Sequence, residues 1–236
     1  MSELRVVALA SSVQVQPGND LAAMLLDALQ GANEALVHHD LVVVTSKIVS
    51  KSEGQVVAFD GTQEHKVKIV ENESVRVLRR RGSLRITETR HGFINANAGV
   101  DLSNTDDGTA VLLPKDPDRS ARRLRAEIAR RSNVEVAILI TDTFGRVWRQ
   151  GVTDVAIGSA GLKPLLDLRG TLDANGRLLE ATEVAIADEI AGAANLVLHK
   201  AAGTPFALVR GLDESFFGEG SIGENIVRSK NDDLFR

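Results

Sequence analysis

The chain reads as an α+β protein built from mixed sheets with packed helices. Three observations predict that class. Short β-branched or apolar runs such as Leu41–Val49 and Val134–Thr141 have the length of strands. Stretches such as Asp20–Leu29 and Pro117–Ser132 carry apolar residues at helical spacing behind capping aspartates. Strands and helices interleave without a regular βαβ beat, which argues against a doubly wound sheet.

Taken in order, Arg5–Ala10 predicts a short strand, and the turn Pro17-Gly18-Asn19 leads into an amphipathic helix over Asp20–Leu29. Leu41–Val49, bounded by Asp40 and by Ser52-Glu53-Gly54, predicts a strand. Asn72–Arg81, with Val75 and Leu78 at helical spacing, predicts a helix. Strands are expected at Leu84–Thr87, Gly92–Ala96 and Ala110–Leu113. Asp116-Pro117-Asp118 opens a helix to about Ser132, with Asp118 as its cap and Leu124 and Ile128 on its apolar stripe. Val134–Thr141 is apolar almost throughout, as in a strand buried on both faces. Gly158-Ser159-Ala160-Gly161 marks a tight backbone approach or a turn. Thr182–Leu198 predicts a long alanine-rich helix, Phe206–Arg210 a final strand, and Gly211–Arg236 a polar, glycine-rich tail.

Composition narrows the functional classes. At 236 residues and 43% hydrophobic, the chain has enough material for one large core or two small ones. No apolar run reaches the ~18–20 residues that a membrane span needs, and the start lacks the regions of a signal peptide, so the cytoplasm is expected. With no cysteine, thiolate chemistry and cysteine-based zinc sites are excluded. The net charge of -4, and aromatics limited to seven Phe and one Trp, argue against a nucleic-acid partner. Arginines do cluster, at Arg79–Arg90 and Arg119–Arg131. They read as a solvated face or as a basic rim that draws in a polyanionic small molecule.

Two stretches run from apolar, strand-like sequence into a carboxylate followed at once by small polar residues: Asn97–Asn104 around Asp101, and Ile138–Arg146 around Asp142. Carboxylates at strand ends, beside oxygen donors such as Thr143 and Asn104, suit Mg²⁺ or Mn²⁺ and phosphate chemistry; helix caps or Asx-turns would use the same residues. Ser46, Lys47, Ser50 and Lys51 sit on or just after the Leu41–Val49 strand, where period-two alternation puts Lys47 and Lys51 on one face and Ser46 and Ser50 on the other. They read as a phosphate contact or as a lysine-guarded strand edge. Neither G-x-x-x-x-G-K-[ST] nor G-x-G-x-x-G occurs. His91 could be a general base or a structural histidine, and the other histidines show no metal-ligand spacing. Glu180, Glu183, Asp188 and Glu189 read as a solvated or paired helix face. Glu219-Gly220-Ser221 reads as a flap over a ligand or as a surface loop.

The segments VVVTSKIVSKSEG, NANAGVDLSNTDDGTAVLLPKDPDRSARRLR, ITDTFGRVWRQGVTDVAIGSAGL and TEVAIADEIAGAANLV together resemble the γ-glutamyl ligases of coenzyme F-420 biosynthesis. GVTDVAIGSAGL and the closing NDDLFR look most like the actinobacterial branch, in which a flavin-reductase-like domain often follows. The resemblance implies that residues 1–236 form one ligase domain of two subdomains, with the fold of that family and without the reductase domain. It implies a GTP-dependent ligase that adds L-glutamate to F-420-0 through an acyl phosphate. The cofactors implied are two divalent ions, Mg²⁺ or Mn²⁺, with K⁺ as an additional ion. Carried over by position, it implies Asp101, Asp142 and Thr143 at the metals, and Ser11, Ser12, Ser46, Lys47, Lys51 and Asn104 at the nucleotide. It implies Lys51 and Asp142 as the catalytic pair; from charge alone, arginines near Arg81–Arg90 are expected to hold the phospholactate and glutamate carboxylates. A homodimer is implied, with the alanines of Thr182–Leu198 allowing close helix approach. Two positions depart from the family pattern: Ser11-Ser12-Val13 stands where the family has Gly-Leu-Pro, and Lys200 stands at a further metal-binding position. The alternatives are a related carboxylate–amine ligase using another acceptor or ATP, and a metal-dependent phosphohydrolase.

Overall fold

The computed structural model describes residues 3–103, 105, 107–198 and 203–234. In chain order its elements are β1 (Arg5–Leu9), α1 (Leu21–Gly31), β2 (Leu41–Thr45), α2 (Ser46–Ser52), β3 (Val56–Ala58), α3 (Gln63–Asn72), β4 (Ser74–Arg81), β5 (Leu84–Thr89) and β6 (Ile94–Ala96). There follow β7 (Thr109–Val111), α4 (Pro117–Ser132), β8 (Ala137–Gly145), β9 (Val152–Ala160), β10 (Leu166–Asp167), β11 (Glu183–Val184), α5 (Ile186–Asn195), β12 (Phe206–Arg210) and α6 (Ile222–Asn225).

A five-stranded mixed sheet, ordered β1-β12-β2-β8-β9, forms the centre, and only the β2–β8 pair is parallel. Leu41 to Val44 on β2 and Ala137 to Ile140 on β8 are all 0% exposed. Successive side chains on a strand point to opposite faces, so this sheet is covered on both. Helices α1 and α4 lie against each other and on the sheet, while α5 packs on β1, β8 and β9. A separate three-stranded sheet, β4-β5-β6, and the pair β3-β7 stand beside this core. The α+β class follows as the sequence predicts.

Local chemistry explains the boundaries. Asp20 caps α1 by accepting from the Ala22 and Ala23 amides, and Arg131 at the end of α4 pairs with the same carboxylate. Asp40, wholly buried at the start of β2, takes a bidentate pair from Arg210 of β12, with both N–O distances 2.8 Å. A Cβ on Gly158 would sit 2.5 Å from the Pro117 carbonyl oxygen, so the glycine lets β9 meet the start of α4. That is the tight approach the sequence predicts there.

Several boundaries differ from expectation. The Leu41 run is strand only to Thr45, and Ser46–Ser52 is helical. Val49 and Ser50 are buried from that helix, so packing overrides β-branched propensity. Asn72–Arg81 is not a helix: α3 ends at Asn72 and β4 pairs antiparallel with β5. Two register shifts in β4 break its alternation, and this disguised the strand as helical spacing. Asp116, not Asp118, caps α4, by accepting from Arg119 N. Asp118 instead accepts from the amides of Ser159, Ile222 and Gly223, pinning the tail to β9 and α4. The helix predicted over Thr182–Leu198 is confined to α5, because Glu183–Val184 pairs with β10. Only Asp188 and Glu189 of the four acids expected on that helix lie in it, and Asp188 accepts from the Ala156 amide of β9. Strand β9 was not foreseen beyond its glycine segment. No helix among the described residues is long and apolar enough to cross a membrane.

Candidate functional site

The carboxyl ends of the parallel pair β2 and β8 open onto a cleft of about 700 Å³. Ligand sites gather there because side chains leaving buried strands are held firmly at their roots. A register shift between Ile140 and Thr141 displaces the second half of β8 against β9 and re-aims Thr141, Asp142 and Thr143 at the cleft wall. Ser46, Lys47 and Lys51 enter from α2, and Gly99, Val100, Asp101 and Ser103 from the loop after β6. Ser11, Val13, Gln14 and Val15 close one side, and Gly203, Thr204 and Pro205 another.

That loop is held in an unusual shape. Asn97, Ala98 and Gly99 have φ of 53°, 53° and 70°, three successive left-handed residues. Such conformations cost an alanine ~1–2 kcal/mol and persist only where surroundings fix them. Here the Asn97 side chain accepts from the Arg85 amide, and the Ala98 amide donates to Thr87 Oγ1. A Cβ on Gly99 would fall 2.7 Å from Leu113. The distortion delivers Asp101 to the cleft.

Lys47 Nζ lies 2.7 Å from Asp101 Oδ2, 2.7 Å from the Ser103 carbonyl and 3.2 Å from Ser103 Oγ, which occupies its three donors. Asp101 Oδ1 also accepts from Ser103 N and Oγ, each at 2.7 Å. Burial pushes the Asp101 carboxyl up, but Lys47 and Ser103 outweigh it and hold the group below its ordinary range. Asp142 behaves oppositely. Burial raises it from 3.8 to about 6, against hydrogen bonds from Ser46 and the Thr143 amide, and the charges of Asp154 and Asp101 add to the rise. Its Oδ1 accepts from Ser46 Oγ at 3.0 Å. The arrangement is an all-oxygen wall with two mutually repelling carboxylates, facing two lysines spaced one helical turn apart on α2.

Of the residues expected at metal and nucleotide, Ser11, Ser46, Lys47, Lys51, Asp101, Asp142 and Thr143 all line this one cleft, and Ser12 does not. Asn104 and Lys200 lie outside the described residues. Lys47 and Lys51 share a face, as period-two alternation predicted, but they do so at i and i+4 of a helix. The repeated Ser-Lys pairs of Ser46-Lys47 and Ser50-Lys51 carried that helical signal. Asp154 was missed. It is 6% exposed, lines the cleft, and sits opposite Thr143 across β8 and β9. Pairing ITDTFG with GVTDVA as an antiparallel hairpin would have found it.

Other candidates are placed elsewhere. His91 is structural: Nε2–H donates to the carbonyls of Pro114 and Lys115 at 2.9 and 3.1 Å, which leaves Nδ1 to accept from Thr89 Oγ1. Burial lowers its pKa. None of the arginines from Arg81 to Arg90 lines the cleft; Arg85 pairs with Glu71, and Arg90 with Glu73. Glu219-Gly220-Ser221 lines a different cavity of about 540 Å³, together with Arg122 and Arg125 of α4. Ala187, Ala191 and Ala194 of α5 are 0% exposed within the chain, so that face is used internally and is not open to a second subunit.

The family described as F420-0:Gamma-glutamyl ligase matches residues 11–211. The chain is 37% identical to the coenzyme F420:L-glutamate ligase of Methanothermobacter thermautotrophicus over 238 residues, covering 94% of each chain. It is 37% identical to that of Methanopyrus kandleri, covering 99% of this chain and 98% of the relative. The corresponding figure for Methanocaldococcus jannaschii is 38%, over 84% of each. The chain belongs to the F420-0:γ-glutamyl ligase family.

Proposed function

We propose that this protein joins L-glutamate to the phospholactate end of F-420-0, with GTP as the activating nucleotide. The observation that carries the proposal is the gathering of Asp101, Asp142, Ser46, Lys47 and Lys51 around one cleft, from segments far apart in sequence. A carboxylate is a poor electrophile. In the first step its oxygen attacks the γ-phosphorus, the bond to the β-phosphate oxygen breaks, and GDP leaves. The glutamate amine then attacks the acyl carbon of the mixed anhydride, inorganic phosphate departs, and the nitrogen loses its proton to give the amide. Each later glutamate would join the previous side-chain carboxylate.

Phosphoryl transfer mainly needs positioning and charge neutralisation. Lys51 faces the cleft one turn beyond Lys47, where it can stabilise charge on the transferring group; Ser46 and Ser11 can hold the nucleotide, and Lys47 joins them by exchanging a Ser103 contact for a phosphate oxygen. The donor set fits a hard divalent ion: Asp101 and Asp142 are carboxylates, Thr143 supplies a further oxygen, and Asp142 has no cationic partner among the described residues. Mg²⁺ or Mn²⁺ held by these residues would shield the phosphate oxygens from the carboxylates during transfer. The cytoplasm, where nucleoside triphosphate is plentiful, suits this chemistry.

We further propose a homodimer. The β8–β9 turn supports it: Val147 is 70% exposed, Trp148 89% and Val152 62%, an apolar cluster that a partner could cover. The deciding experiment incubates F-420-0 with protein, glutamate, Mn²⁺ and either GTP or ATP, and follows products by mass spectrometry. Glutamyl additions with GTP are expected. Faster turnover with ATP would overturn the nucleotide assignment. Phosphate release without any glutamylated product would make the protein a phosphohydrolase.

A further inference from the structure

Asp154 is the buried group for which the reading above has no task. Its Oδ1 accepts from Thr143 Oγ1 at 2.7 Å, and its Oδ2 lies 3.5 Å from Thr141 Oγ1. Among the described residues those hydroxyls are its side-chain partners, and no lysine, arginine or histidine pairs with it. A buried carboxylate with no cation beside it is a poor device for merely fastening two strands, because no opposite charge offsets its loss of water. A Val or Thr opposite Thr143 would serve that purpose more cheaply.

The hydrogen bond fixes more than a distance. A hydroxyl has one proton and two lone pairs. With its proton committed to Asp154, Thr143 Oγ1 can offer only lone pairs to whatever enters the cleft it lines. A hydroxyl held that way is a preset oxygen donor, and the carboxylate behind it increases the electron density it presents. Without the acceptor, the same hydroxyl could turn its proton toward Asp142 or toward a cation and oppose binding.

We propose that Asp154 is a positioning residue that fixes the Thr143 hydroxyl as an oxygen donor and adds negative charge behind it, so that the cleft holds a divalent cation more tightly. This rests on the metal assignment made under the proposed function. Asp154 acts through Thr143 and does not touch the ion.

The test uses Mn²⁺ alone, titrated into protein without nucleotide, with the free ion followed by electron paramagnetic resonance. Asp154→Val, which removes the acceptor, and Thr143→Val should each weaken binding by ~10–100-fold, the usual range for losing an outer partner of a ligand. Thr143→Ser, which keeps the hydroxyl, should bind as wild type. The double variant Thr143→Val with Asp154→Val should lose clearly less than the product of the two single losses, because both changes break one device. Wild-type affinity in Asp154→Val, or losses that multiply in full in the double variant, would overturn the proposal while leaving the metal assignment standing. Wild-type protein that takes up no Mn²⁺ would overturn both. If Asp154→Val fails to fold, as judged by its thermal melt, the Thr143 pair decides: equal affinity for Val and Ser at 143 overturns the proposal.

Discussion

Replacing Asp142 by asparagine should make the chelated protein more stable and inactive at once. The substitution keeps the side chain's shape and an oxygen that can still accept from Ser46 Oγ. What it removes is a charge that burial disfavours. The carboxyl rises from 3.8 to about 6 on folding, and each pH unit corresponds to ~1.4 kcal/mol. Well below pH 3.8 both folded and unfolded states are protonated, so the carboxyl costs nothing. Between pH 3.8 and about 6 the unfolded chain has given up its proton while the folded one keeps it, so stability falls across that window by up to ~3 kcal/mol and stays lower above it. Asparagine has no such loss. In EDTA at pH 8, Asp142→Asn should therefore melt ~6–12 °C above wild type, at ~2–4 °C per kcal/mol for a chain of this size. At pH 3 the two should melt together. Circular dichroism melts at both pH values measure this, and mass spectrometry of glutamylated product measures turnover, which should fall to background. Equal midpoints at pH 8, or wild-type turnover, would refute the reasoning.

Lys51→Ala should lower kcat by ~10²–10³-fold, or ~3–4 kcal/mol, if Lys51 stabilises the transferring phosphoryl group; a change confined to KM would reduce it to ground-state binding. For His91, burial depresses the folded pKa below 6.5, so its stabilising share is whole above that pH and is lost as pH falls through the folded value. The advantage of wild type over His91→Gln in urea denaturation should accordingly shrink between pH 7.5 and 5, and a constant gap would refute it. Gly158→Ala should destabilise by ~1–3 kcal/mol through the clash with Pro117, measurable as a lower urea midpoint at unchanged slope. Light scattering should give the dimer mass at micromolar concentration, with a thermal midpoint that rises with concentration; monomer mass with full activity would refute the dimer.

The sequence by itself determined the parts governed by local chemistry. The apolar run into Asp142 fixed a buried strand ending in a carboxylate, because few other sequences can lie between two covered faces. Asp20 ahead of α1 and Asp116-Pro117 ahead of α4 marked those helices through capping. Resemblance in four segments was enough to bring Ser46, Lys51, Asp101 and Asp142 under one expectation. Only the tertiary structure decided how those residues meet. Ser46–Ser52 continues a β-branched run, yet it is a helix that buries Ile48, Val49 and Ser50, a packing outcome the run's composition does not announce. Strand β4 hid behind two register shifts, since each breaks the period by which strands are recognised. Lys47 found Asp101, 54 positions away, through a left-handed turn at Asn97–Gly99 that glycine permits but does not dictate. Asp154 needed the β8–β9 register to stand opposite Thr143. Periodicity reports which side of an element is buried; which carboxylate then faces which hydroxyl is fixed by pairing between strands, and that is written only in three dimensions.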